Sequence, residues 1–212
     1  MKKRSKLALL VLTAVLLTGC KSSQGSSEIQ TDTGRIYVTR EHVVSGVITD
    51  TYENTGAVFD QQELQSEVEG YIAAYNEEHG LSGEGSVPVK LISCSVDGQR
   101  GTLVMEYGTA DNFIGFSASQ TDDSNTLTGL MVDTVEGGLS AGAVTDRQFI
   151  KPDGAAVSYE EILKQSDLHF IATEGSATVQ TEGAVVYMTE GVELSDAHTA
   201  KVPEGTNYII FK

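Results

Sequence analysis

The chain has 212 residues, with 14 Lys and Arg against 30 Asp and Glu, a formal net charge of −16 and 40% hydrophobic residues. That length is enough to bury a core of ordinary size, as one domain or two small ones. The acidity argues against nucleic acid and anionic headgroups as partners, because both would be repelled.

The first element in chain order is a leader over residues 1–19. Lys2, Lys3, Arg4 and Lys6 form a basic segment and Leu7 to Leu17 an apolar one, which is the layout of a signal peptide. The apolar run falls well short of the roughly 20 residues that span a bilayer. It ends in Leu17-Thr18-Gly19-Cys20, which resembles the lipobox of bacterial lipoproteins. The resemblance implies cleavage before Cys20 and a diacylglyceryl group on its thiol. It also implies an acyl anchor (palmitate or a similar chain) at the extracytoplasmic face of the cell membrane, where two chains hold stably. From Cys20 onward, 193 residues carry ten basic against thirty acidic side chains, a formal −20. Lipidation of Cys20 leaves Cys94 without an intrachain disulfide partner. Its two-residue spacing from Ile92 and Val96 puts all three on one strand face, with the thiol as a small buried hydrophobe.

Residues 20–34 hold the lipidated Cys and a Ser-, Gly-, Gln- and Thr-rich stretch that reads as a flexible tether. An α+β unit is expected over 35–120. Arg35–Thr39 and Val43–Thr49 have hairpin-like spacing around Arg40-Glu41-His42. A helix follows, capped by Asp60 with Glu63 three residues on and with Phe59 stapling onto Leu64. Leu64, Val68, Tyr71, Ile72 and Tyr75 give its apolar stripe, and His79-Gly80 its stop. Val87–Val96 and Thr102–Tyr107 read as strands joined through Asp97-Gly98, and Thr109 caps a short helix carrying Phe113 and Phe116. Strand-strand-helix thus occurs twice, which predicts an antiparallel sheet with helices on one face and an α+β fold class.

A β-rich unit is expected over 121–212, as a separate body or continuous with the first. Leu127–Val132 is a strand, Pro152-Asp153-Gly154 a turn, Ser158 with Glu161 a capping box, and Leu168–Ala172 a strand. Thr134–Ala143 is too Gly-rich to assign. Thr-Glu-Gly then recurs every eight residues, at Thr173, Thr181 and Thr189, separating five-residue strands and predicting a C-terminal β meander or a few stacked coils. Tyr208–Phe211 closes the chain as a strand. The lipobox, the tether, the helix behind Phe59-Asp60 and the closing Val185–Met188 and Tyr208–Phe211 segments together resemble small uncharacterised lipoproteins of Gram-positive bacteria. That resemblance carries over one functional residue, Cys20, and no activity.

Candidate chemistry is sparse. Gly138-Leu139-Ser140-Ala141-Gly142 matches the G-x-S-x-G nucleophile elbow, with Asp153, Asp167, Asp196, His169 and His198 downstream. The motif works only where a strand feeds a sharp turn into a helix. The residues after Gly142 show no helix pattern, so a Gly-rich turn is the preferred reading of Ser140. No H-x-x-x-H, H-E-x-x-H or Cys pair offers a metal site, no cofactor motif is present, and Asp122–Asn125 lacks the Gly and Glu of a calcium loop. His42, His79, His169 and His198 fall singly along the chain. The expectation is a non-enzymatic, membrane-anchored binding or interaction module for a protein or envelope component. The alternatives are a solute-binding lipoprotein of a transporter and a serine hydrolase using Ser140.

Overall fold

In the computed structural model, which describes residues 27–51, 60–80, 85–119, 126–143 and 147–212, the first half folds as two strand-strand-helix units. Strands β1 (Arg35–Val38) and β2 (Val44–Thr51) pair antiparallel, Ile36 opposite Gly46. Helix α1 (Gln61–His79) starts at Asp60, whose carboxylate accepts the Gln62 N–H at 2.7 Å, while Phe59 lies outside the described residues. Ile72 and Tyr75 are buried and Leu64 and Val68 half-buried. Tyr71, expected on this stripe, sits on its flank, 50% exposed, and its hydroxyl donates to Glu67 at 3.1 Å.

Strands β3 (Val89–Asp97) and β4 (Arg100–Tyr107) form the second hairpin, with Gly98 at φ 62° as the first of two loop residues, the conformation a type II′ turn requires. Asn76 of α1 ties the outer edge of β3 by bonding both backbone groups of Val89, donating to its carbonyl at 2.8 Å and accepting its N–H at 2.9 Å. A bulge between Leu91 and Ser93 removes Ile92 from the ladder and leaves it 48% exposed. Cys94 therefore does not share a buried face with Ile92: it is half-buried, with Sγ 4.0 Å from the Gln61 carbonyl. Helix α2 (Ala110–Ser119) opens where the Thr109 hydroxyl accepts the Asn112 N–H and buries Phe113 and Phe116.

The second half contributes β5 (Gly129–Thr134), α3 (Val135–Ser140), β6 (Phe149–Ile150), β7 (Ala156–Val157) and α4 (Tyr159–Leu163). Thr134 caps α3 and Ser158 caps α4. There follow β8 (His169–Glu174), β9 (Ala177–Thr181), β10 (Val185–Thr189), β11 (Glu193–Leu194), β12 (Thr199–Val202) and β13 (Thr206–Phe211). One sheet runs β11-β12-β9-β1-β2-β4-β3 and the other β5-β8-β13-β10-β6-β7. Segments 35–120 and 121–212 thus share the first sheet.

The Thr-Glu-Gly repeats are corners at which the chain changes sheet. Strands β8 and β10 lie in the six-stranded sheet and β9 and β11 in the other, so the eight-residue period counts legs of stacked coils rather than neighbours of a meander. At each corner Thr173, Thr181 or Thr189 is buried while the following Glu is exposed or half-exposed. Gly175 and Gly191 take φ of 105° and 97°, and a Cβ on Gly183 would collide with the Lys212 carbonyl. A strand delivered by such a corner is free of hairpin geometry, and β9 pairs parallel with β1 while every other pairing is antiparallel.

The first core gathers Ile36, Val38 and Val179 against Ile171, Ile209 and Phe211 between the sheets and continues to Tyr75, Phe113 and Phe116 of α1 and α2. The second lies on the far face of the six-stranded sheet, where Phe149, Phe170, Tyr208 and Ile210 pack with Val135 of α3 and Ile162 of α4.

Residues 27–34, expected as tether, form a strap on the polar face of the seven-stranded sheet. The Ser27 N–H and hydroxyl donate to the Glu182 and Thr181 carbonyls at 2.8 and 2.7 Å. Gln180, fully buried, donates to the Glu28 carbonyl at 2.7 Å and accepts the Gln30 N–H at 3.0 Å. Arg35, its side chain 3% exposed, bonds Gln30, Asp32 and Thr33, and Arg100 donates to the Thr31 and Asp32 carbonyls. The physical reason is polar satisfaction. Gln180 and Arg35 on this face need partners, and an apolar-poor segment supplies carbonyls and amides as readily as solvent does.

Candidate functional site

The four histidines, with Arg40, Glu41 and Glu182, collect at one end of the two sheets. The β1–β2 turn with Arg40, Glu41 and His42 reaches this end, as does the Thr181-Glu182-Gly183 corner, because Val38 pairs with Thr181. The start of β8 and the end of β13 meet there too, His169 opposite Phe211. His198 joins them through its carbonyl, which accepts the Thr181 N–H at 2.8 Å. Helix α1 points its last turn the same way, since Asn76 bonds Val89, and Val89 and Val44 both pair with Tyr107. All four histidines, expected as scattered, therefore share one end.

Two of them touch. His42 Nε2 lies 3.2 Å from His169 Nδ1, with the rings edge to face at 5.3 Å. His42 reaches this position from a left-handed backbone, φ 63°, the single positive φ outside glycine among the described residues. His is among the types that tolerate that region, at a cost of about 1 kcal/mol or more. Burial, then the proximity of His42 and Arg40, lowers the His169 pKa from its ordinary value. The contact joins a turn of one sheet to a strand of the other, with the tautomers deciding which ring donates. Beside it the Arg40 guanidinium donates to the Lys212 carbonyl at 2.9 Å and pairs with Glu182 at 3.1 Å. Among the described residues neither ring bonds a hydroxyl or thiol.

On the other face of β13's end lies an open cleft of about 440 Å³. Val185, Val186 and Leu168 give it an apolar floor, and Lys151, Asp153, Gln165, Tyr187 and Lys212 a polar wall. The elements placing these groups are the Pro152-Asp153-Gly154 turn, the segment after α4, and β10. Lys151 is held 3.5 Å from Glu161, which also accepts from the Tyr187 hydroxyl at 3.5 Å. An apolar floor with a mixed polar rim suits reversible binding of an amphipathic group.

The other sequence candidates lie elsewhere. Ser140 is the exposed last residue of α3, and Gly142, at φ 70°, ends that helix while Ala143 N–H bonds the Gly138 carbonyl at 2.8 Å. Its G-x-S-x-G is thus a helix C-terminus, with the helix before the serine rather than after it. Cys94 sits beside the start of α1, its pKa raised by burial and by Glu69. Cys20 and Asp122–Asn125 lie outside the described residues. Among the described residues no group of three His, Cys, Asp or Glu is placed to hold a metal ion, and no helix is long and apolar enough to cross a membrane. Sequence reasoning missed the His42–His169 pair, because 127 residues separate the two rings and no local pattern signals the contact. Family models, characterised proteins and solved structures were compared with this chain, and none matches.

Proposed function

We propose that the protein is a lipoprotein held by acyl chains on Cys20 at the extracytoplasmic face of the cell membrane. In this reading its body is a non-enzymatic module that binds a protein or envelope component, of the kind found in small Gram-positive lipoproteins. The observation that carries it is Leu17-Thr18-Gly19-Cys20 behind a basic and then apolar leader. The cleft between Lys151 and Lys212 supplies a place for the ligand, and the acidic exterior keeps the body soluble beside a bilayer.

Two measurements test this. Mass spectrometry of the membrane-extracted protein should find an acylated Cys20 as the first residue. An unmodified chain beginning elsewhere sinks the anchor. Affinity capture from envelope extract with the leaderless body should recover a component that a folded Tyr187→Ala, Lys212→Glu variant loses. Equal recovery by both removes the cleft as the binding place.

A further inference from the structure

The strap determines which end of the body faces the membrane. Six residues, 21–26, separate Cys20 from Ser27, and Ser27 is bonded to the Thr181-Glu182 corner. Whatever their conformation, seven Cα steps reach at most about 25 Å. The opposite end lies a full strand further away: Asp97 and Arg100 close the β3–β4 hairpin, and Val89 and Tyr107 begin and end it at the near side. Nine strand residues add about 30 Å. The leash therefore holds one end near the acyl chains and leaves the other free to stand off.

Charge selects the upright posture within that leash. The mature chain carries a formal −20, and a body lying flat brings much of this within a Debye length, about 10 Å, of anionic headgroups. Repulsion acting on a body fixed at one end swings the free end outward. Resting on the anchor reading above, we infer that the body stands end-on with the Arg40–His42 turn, the Glu182 corner and Lys212 facing the bilayer surface. The Asp97-Gly98 turn faces away, and the cleft is presented at headgroup level, where it meets components carried in or on the membrane.

The test uses the acylated full chain in phosphatidylcholine–phosphatidylglycerol vesicles at low salt. In a Cys94→Ser background, a donor fluorophore is placed through Glu41→Cys at the near end or Asp97→Cys at the far end, with the acceptor on lipid headgroups. Both positions are exposed. Energy transfer should be at least about twofold stronger from position 41, as a strand-length difference in height requires. Inserting twenty Gly/Ser residues after Lys21 should abolish the difference without touching the body. Equal transfer from the two positions in the natural chain overturns the orientation if mass spectrometry finds Cys20 acylated. An unacylated chain removes the anchor reading and the orientation with it.

Discussion

Strands β13 and β3 are both rich in β-branched and aromatic or aliphatic residues, yet they meet opposite surroundings. In β13 every residue from Asn207 to Phe211 is buried, because Ile209 and Phe211 face the inter-sheet core while Tyr208 and Ile210 face the layer under α3 and α4. In β3 burial falls from Val89 through half-buried Leu91, Cys94 and Val96 to exposed Lys90, Ile92, Ser93 and Ser95. The first is a central strand, flanked by β8 and β10, and the second is a sheet edge with one face under a helix. The lesson is that the number of covered faces, and not strand propensity, determines what a side chain contributes.

The largest effect should come from β13. Ile210→Ala and Phe211→Ala remove side chains that are fully buried on opposite faces, and each should cost about 2 to 5 kcal/mol. Urea unfolding of the leaderless body measures both. If only one of the two neighbours proves costly, one of the layers is not packed as described and the contrast with β3 collapses.

How far each region was legible follows from the same contrast. The Asp97-Gly98 turn, the Asp60 cap, the Ser158 cap and the Phe113/Phe116 helix are local, set by residues within one turn of one another, and they form where their sequence signals lie. The Thr-Glu-Gly period marks the corners correctly, but which sheet each strand joins depends on contacts far along the chain, such as Val38 with Thr181. Ile92 follows the alternation until a bulge, which leaves no mark in composition, takes it out of register. The strap was opaque for the converse reason. Ser27 to Gly34 has a single large apolar residue, Ile29, and its order depends on Gln180 and Arg35, whose burial is a tertiary fact. Of the candidate site, no local signal brings His42 to His169 or Lys151 to Lys212.

An intermediate effect is expected from pH at the place where the two sheets meet. His169 of β8 faces His42, Arg40 and Glu41 from the β1–β2 turn, Glu182 from the corner before β10, and the Phe211 ring of β13 at 5.0 Å. Its folded-state pKa is lowered, with burial the first cause, so the unfolded chain takes up this proton more readily than the folded one. Stability contributed by the neutral ring is present above the unfolded value of about 6.5 and is lost as pH falls through the lower folded value. The urea midpoint should therefore drop between pH 7.5 and 5.5, and His169→Gln should flatten that drop. An equal drop in the variant would place the titrating group elsewhere.

The smallest effect should come from Ile92. It is as apolar as Ile210 and lies in a strand of greater length, so propensity alone would make its replacement by Ser costly. The bulge that excludes it from the ladder also leaves it 48% exposed, on the edge strand and away from the stripe of α1. Side chains in that position lose little water on folding, and surface substitutions without a cap, a buried partner or a special backbone angle stay within about 0.5 kcal/mol. Ile92→Ser should accordingly leave the urea midpoint within error while Ile210→Ala shifts it strongly. Should Ile92→Ser instead cost about 2 kcal/mol or more, the size expected of a core side chain, the outer face of β3 would be covered in solution. A second surface would then have to be docked there, and the edge would have to be regarded as an interface.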